Sequence, residues 1–154
     1  MILTYAYTAV GSSHVKSGTG NQDAMKVGFG RNGGVVAAVA DGVGSSKHSD
    51  IAAAIAVEVS VQVCLYALNN GYDLLESVEK AFAAAQNKIE ARVLLEEHLV
   101  TDYDTTLTLV VYDGKNIVYG HSGDGGIAGV GDDRLPAGPV EGERPGPRAS
   151  VPRR

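Results

Sequence analysis

Tryptophan is absent from this chain, cysteine occurs once, and no proline appears before Pro136. The single Cys64 excludes an internal disulfide, and its apolar neighbours mark it as a small buried hydrophobe. The four histidines, His14, His48, His98 and His121, show none of the spacings that hold zinc. No apolar run approaches the ~20 residues needed to cross a bilayer. The first residues, Met1-Ile2-Leu3-Thr4-Tyr5, lack the basic start and cleavage site of a signal peptide. These absences predict a cytoplasmic chain without a membrane partner. Basic residues are also scarce: up to Asp133, 8 Lys/Arg stand against 16 Asp/Glu. With no basic stripe to meet phosphates, nucleic acid is excluded as the main partner. The acidic balance suits a site that gathers carboxylates around cations.

What is present fits one globular domain: 154 residues, 44% hydrophobic and 20% charged. Alternation over Leu3–Val10 predicts a strand wet on one face, followed by a Gly/Ser/Thr-rich loop ending in Asn21-Gln22-Asp23. Ala24–Phe29 reads as a short strand, Arg31–Gly34 as a turn, and the apolar run Val35–Ala40 as a buried strand that stops at Asp41-Gly42-Val43-Gly44. A helix over Ile51–Asn69 follows, capped by Ser49 or Asp50 and stopped by Gly71. It is apolar around most of its circumference and so should be covered on more than one side. Asp73 with Glu76 forms a capping box for a second helix, whose apolar stripe is Val78, Phe82, Ala85, Ile89 and Val93. Thr105–Tyr112 and Lys115–Gly120 flank Asp113-Gly114 as a hairpin with a two-residue turn. Ile127–Val130 is a further candidate strand. Strands, two helices, then strands again predict an α+β layered domain.

Composition changes near residue 132. All five prolines fall between Pro136 and Pro152, and from Arg134 onward 5 Arg stand against 2 Glu, with no Lys. No apolar periodicity survives there, which predicts a disordered Pro/Gly/Arg-rich tail over 133–154 behind a domain over 1–132. A natural linker and a lost reading frame would both produce this pattern.

Candidate chemistry concentrates on carboxylates. Asp41 ends a buried strand and is followed by Gly42 and Gly44, which let backbone approach a hard cation. Asp23 supplies a second carboxylate, and Asp124 a third within the glycine-rich Gly120–Gly126. Taken alone, Asp41 is better read as a turn aspartate bonded to its own loop, and a structural role in the turn is the default for Asp23. Two nucleotide signatures fail: Lys47 stands where G-x-G-x-x-G needs its last glycine, and no G-x-x-x-x-G-K-[ST] is present. Gly120-His121-Ser122-Gly123 lacks the final glycine of a nucleophile elbow, which disfavours a serine hydrolase. Oxygen-ligand chemistry remains: Mg²⁺ or Mn²⁺ on carboxylates, carbonyls and water.

Three ordered segments together resemble the type-2C (PPM) metal-dependent serine/threonine protein phosphatases. They are Gly11-Ser12-Ser13-His14 with Asn21-Gln22-Asp23-Ala24, then Val39-Ala40-Asp41-Gly42-Val43-Gly44-Ser45, then Thr105-Thr106-Leu107 through Gly123-Asp124. The resemblance covers roughly residues 3–133 and is closer to the compact bacterial branch, since Val43 stands where animal enzymes carry histidine. It implies an αββα layered sandwich, here incomplete, with one helix pair. It implies a centre of two Mg²⁺ or Mn²⁺ ions: Asp41 bridging them, the Gly42 carbonyl binding one, and Asp23 holding their waters. Asp124 would match the aspartate of a third, looser ion. The implied activity is hydrolysis of phosphoserine and phosphothreonine in a protein substrate, with catalysis resting on Asp41 and Asp23.

Two departures carry consequences. Where many relatives have an arginine to grip phosphate, the nearest basic residues here are His14 and Lys16, and lysine is a point charge rather than a bidentate fork. The family's later metal-binding aspartates have no counterpart, because no aspartate follows Asp133. A truncated phosphatase domain is therefore expected. The rivals are a non-catalytic regulatory module of the same fold and, more weakly, a nucleotide-binding domain. With only one helix pair, a sheet face should stay uncovered, carrying apolar side chains among Leu109–Tyr112 and Ile117–Tyr119 and favouring self-association.

Overall fold

The computed structural model describes residues 2–18 and 20–128. Four strands form one antiparallel sheet in the order β1-β2-β3-β4: Ala24–Phe29, Val35–Ala40, Leu107–Tyr112 and Ile117–Ser122. Two long helices, α2 (Ser49–Asn70) and α3 (Leu74–Glu96), connect β2 to β3 and pack on one face of that sheet. The fold is thus α+β, one sheet with one helix pair, consistent with part of the layered sandwich that the resemblance implies.

Strand alternation decides what the helices cover. Val36, Ala38 and Ala40 of β2 and Leu107, Leu109 and Val111 of β3 point at them and are buried. Against these rows pack Ala53, Val57, Val61 and Cys64 of α2 and Val78 and Ala81 of α3. Small residues dominate, so α2 comes close to the sheet: a Cβ on Gly28 would lie 2.4 Å from Leu65 Cδ1. Lys26, on the same face at the sheet edge, pairs with Glu58 of α2. The α3 stripe falls where its periodicity places it, with Val78, Ala85 and Val93 buried and Phe82 and Ile89 partly so.

Helix ends follow local chemistry. The Asp73 carboxylate accepts the Glu76 N–H at 2.8 Å, an N-cap worth about 1 kcal/mol. Gly71 closes α2 in the left-handed region at φ 71°. At the start of α2 the sequence reading needs correction: His48 holds the cap position without a side-chain cap bond, and Ser49 is the first helical residue. By length and hydropathy α2 also passes as a membrane span, although Glu58, Ser60 and Gln62 interrupt its apolar run. Its packing between sheet and α3 makes it the core helix here.

Three other expectations differ. Residues 2–10 form no strand, since no ladder partner stands beside them among the described residues, and Ser12–Ser17 is a short helix, α1, rather than loop. The β3–β4 turn spans four residues, with Tyr112 opposite Ile117. Asp113 accounts for the extra pair: its carboxylate accepts the N–H groups of Lys115 and Asn116 at 2.7 and 2.6 Å. These bonds, Asn116's first, hold the Asp113 carboxyl below its usual range. Ile127 and Ala128 are not in a strand, and Gly129, Val130 and the whole 133–154 tail lie outside the described residues.

The outer face of the sheet carries Met25, Val27, Phe29, Val39, Val110, Tyr112, Ile117 and Tyr119, the alternates of the buried rows. Phe29 is 62%, Val39 54% and Ile117 65% exposed. The expected open face is therefore present, but Leu109 and Val111 belong to the covered side. Residues 3–7 lie over part of it, leaving a cleft of about 460 Å³ bounded by Met25, Val27, Ala37 and Val39.

Candidate metal centre

The sheet's register brings the carboxylates together. Ala24 pairs with Ala40 in the last rung between β1 and β2, so Asp23 and Asp41 stand one step beyond it, on neighbouring strands and on the outer face. The same rung continues through Leu107 to Ser122, after which the chain turns at Gly123 towards Asp124. Four chain segments far apart in sequence thus end at one edge of one sheet. A cleft of about 330 Å³, lined by Tyr7, Thr8, Asp23, Met25, Val39 and Asp41, opens there.

Backbone bonds strap the Asp41 turn. Thr106 donates its N–H to the Asp41 carbonyl at 2.9 Å, and its hydroxyl accepts the Asp41 N–H at 2.9 Å. The Thr105 hydroxyl adds a third bond to the same carbonyl at 3.0 Å, and Val43 N–H reaches Asp104 O at 3.0 Å. Gly42 is obligatory without any unusual φ, because a Cβ there would sit 2.6 Å from Gln22 O and 2.8 Å from Ser49 O. Near Asp124, a Cβ on Gly123 would meet Thr106 Cγ2 at 2.5 Å, and one on Gly125 would meet Thr108 Oγ1 at 2.4 Å. The glycine-rich run is what lets this segment lie against β3.

The electrostatics follow from this convergence. The Asp41 carboxyl is pushed above its usual range, first by partial burial and then by the Asp23 carboxyl bonded beside it, with the Asp124 charge adding to the effect. His14, from α1, acts in the opposite sense. Two carboxylates opposite each other on adjacent strands repel, and a bound cation would relieve that repulsion. The donor set therefore fits a divalent ion held by Asp23 and Asp41, with Asp124 within electrostatic reach. It is an incomplete cage: among the described residues no three acidic, histidine or cysteine side chains converge tightly enough to hold an ion alone. Lys16 is exposed, and none of the described salt bridges ties it to these carboxylates.

Sequence reasoning passed over several residues that shape this edge. Thr8 accepts from Asn21 Nδ2 at 2.9 Å and reaches Asp23 Oδ2 at 3.5 Å, so the N-terminal segment touches the centre. Thr105 and Thr106 belong to the third family-like segment, but the sequence alone assigns them no role. The available signal was their position at the start of β3, in register with the end of β2.

The family model for protein phosphatase 2C matches residues 10–141 of the chain. No curated protein matches it.

Proposed function

Because the chain belongs to the protein phosphatase 2C family, we propose that it is a Mg²⁺- or Mn²⁺-dependent hydrolase of phosphoserine and phosphothreonine monoesters in proteins. The observation that carries this reading is the Asp23–Asp41 pair, set opposite each other beyond the last β1–β2 rung and facing a cleft. Asp41, Asp23 and the Gly42 carbonyl would hold the cations, and Asp124 a looser third ion. When bound, the ions supply an acidified water as nucleophile and neutralise charge on the phosphoryl oxygens. The chain's own contribution is to fix the carboxylates through the Thr105–Thr106 strap and to offer His14, within electrostatic reach of Asp41, as a contact for the phosphate. Lys16, exposed nearby in α1, would offer the phosphate a point charge rather than a bidentate fork. The thiol of Cys64, pushed up to about 11 by burial, plays no part in this chemistry.

A second reading keeps the fold without the turnover. It is favoured by the described geometry, in which no three His, Cys, Asp or Glu side chains form a group that could hold an ion among the described residues. In that case the chain is a regulatory or interaction module that binds phosphorylated protein without hydrolysing it. Hydrolysis of p-nitrophenyl phosphate and of a phosphothreonine peptide, with and without Mn²⁺, separates the two. The expected result is weak, Mn²⁺-dependent turnover that disappears in Asp41→Asn. Turnover that survives this substitution rejects Asp41 as the centre's ligand, whereas Mn²⁺ binding without turnover selects the second reading.

A further inference from the structure

Gln22 holds together the two strand ends that bear the carboxylates, and one of its atoms is left without a partner. It is only 9% exposed. Its carbonyl accepts the Gly42 N–H at 3.2 Å, and its Nε2 donates to Ser49 Oγ at 2.8 Å, where Ser49 is the fully buried first residue of α2. Its Oε1 is buried with no hydrogen-bond partner among the described residues. A buried amide oxygen without a donor is destabilising, and an apolar side chain of the same length would avoid that cost. Packing alone therefore does not favour glutamine here.

We propose that Gln22 is a positioning residue for the cation centre, setting the separation of Asp23 and Asp41 without touching the ion; this rests on the reading of those two aspartates as ligands. Gln22 immediately precedes Asp23, and Gly42 immediately follows Asp41. The main-chain Gln22–Gly42 bond joins the two ligand-bearing turns whatever the side chain, and the Gln22 Nε2–Ser49 Oγ bond is the side chain's own contribution, anchoring that joint to α2. Gln22 O and Ser49 O both fill the space that a Cβ on Gly42 would take, so the two turns and the start of α2 meet closely at this point. Carboxylates that repel each other tend to move apart, and a brake outside the ligand set resists that movement. Groups that orient ligands in this way commonly change metal affinity by tenfold or more.

The test uses the full chain, with free Mn²⁺ followed by electron paramagnetic resonance and thermal melting followed in parallel. Gln22→Met keeps the length and removes both side-chain polar atoms. It is expected to weaken Mn²⁺ binding about tenfold while moving the melting midpoint by no more than about 4 °C. Ser49→Ala removes only the anchor and should weaken binding in the same direction by a smaller factor, which keeps the test available if Gln22→Met misfolds. Wild-type affinity in both variants, with Asp41→Asn abolishing binding, overturns the positioning role and leaves the ligand reading intact. Affinity that falls only in proportion to the melting midpoint in both variants also overturns it, since general loosening would do the same. Binding unaffected by Asp41→Asn, or no binding by the wild type, overturns the ligand reading and this proposal with it.

Discussion

The two faces of the sheet are built from the same strands and have opposite fates. On the helix side, alternate residues of β2 and β3 are sealed by α2 and α3, and Val36, Leu109 and Val111 have no exposure at all. On the other side, their immediate neighbours Val39, Val110 and Tyr112 look outward, with only residues 3–7 lying across part of the surface. Strand propensity does not distinguish the two sets, because the residue types are alike. What distinguishes them is whether a covering element exists within the described chain. Stability is therefore concentrated on one face, while the candidate centre sits at the rim of the other.

The largest expected effect sharpens this contrast. Leu109→Ala removes a fully buried side chain from the helix-covered face and should cost about 2–5 kcal/mol. Ile117→Ala, on the open face, should cost less than about 1 kcal/mol. Urea denaturation of both variants measures the gap, and equal costs would show that something covers the outer face in solution.

Next in size is the consequence of leaving apolar strands open. The chain is expected to self-associate as its concentration rises, and Val39→Lys combined with Ile117→Lys should shift it towards monomer without lowering the melting midpoint appreciably. Sedimentation velocity across a concentration series reads this directly. A wild-type chain that stays monomeric throughout would remove the open face as an interaction surface.

A smaller effect probes how the closed face is assembled. Asp73→Ala removes the N-cap of α3 and should cost about 1 kcal/mol, with Asp73→Asn recovering most of it. A loss confined to melting, with Mn²⁺ affinity unchanged, is expected because α3 caps the core far along the chain from Asp23 and Asp41.

How much of this was legible beforehand follows from which interactions are local. The strands Ala24–Phe29 and Val35–Ala40, both helices and the Asp73 cap were readable, because periodicity and capping are decided within a few residues. Leu3–Val10 misled because its alternation is a genuine strand pattern, but pairing needs a neighbour, and none of the described strands takes it. The hairpin turn was read as two residues because Asp-Gly favours that form; the bonds from Asp113 to Lys115 and Asn116 widened it. Asp23, Asp41 and Asp124 were named from their glycine-flanked positions and from the resemblance. Their shared edge depends on register, which a single sequence does not display. Gln22 stayed hidden for the same reason, since its partners Gly42 and Ser49 lie 20 and 27 residues away.

The smallest expected change in stability is the most informative about the centre. Asp41 holds its proton more tightly in the folded chain than in the unfolded one, because of partial burial and then the neighbouring Asp23 carboxyl. A carboxyl shifted in this direction penalises the native state as pH rises through the carboxylate range, and the penalty then persists at neutral pH. Removing the charge with Asp41→Asn should therefore leave the metal-free chain equally or slightly more stable at neutral pH. The gain should stay within about 0.5 kcal/mol, because the group is largely exposed. Below the usual aspartate range the Asp41 carboxyl is protonated in the folded and unfolded chain alike, and the difference should vanish. Mn²⁺ should reverse the order, since an ion that binds only the native state adds about 2.7 kcal/mol at a hundredfold excess over its Kd, and Asp41→Asn would forgo that term. Melting curves of both proteins at neutral and acidic pH, with and without Mn²⁺, test the sign at each corner. If Asp41→Asn is clearly less stable without metal, the Asp23–Asp41 pair is not under repulsion, and the reason to place a cation between them is lost.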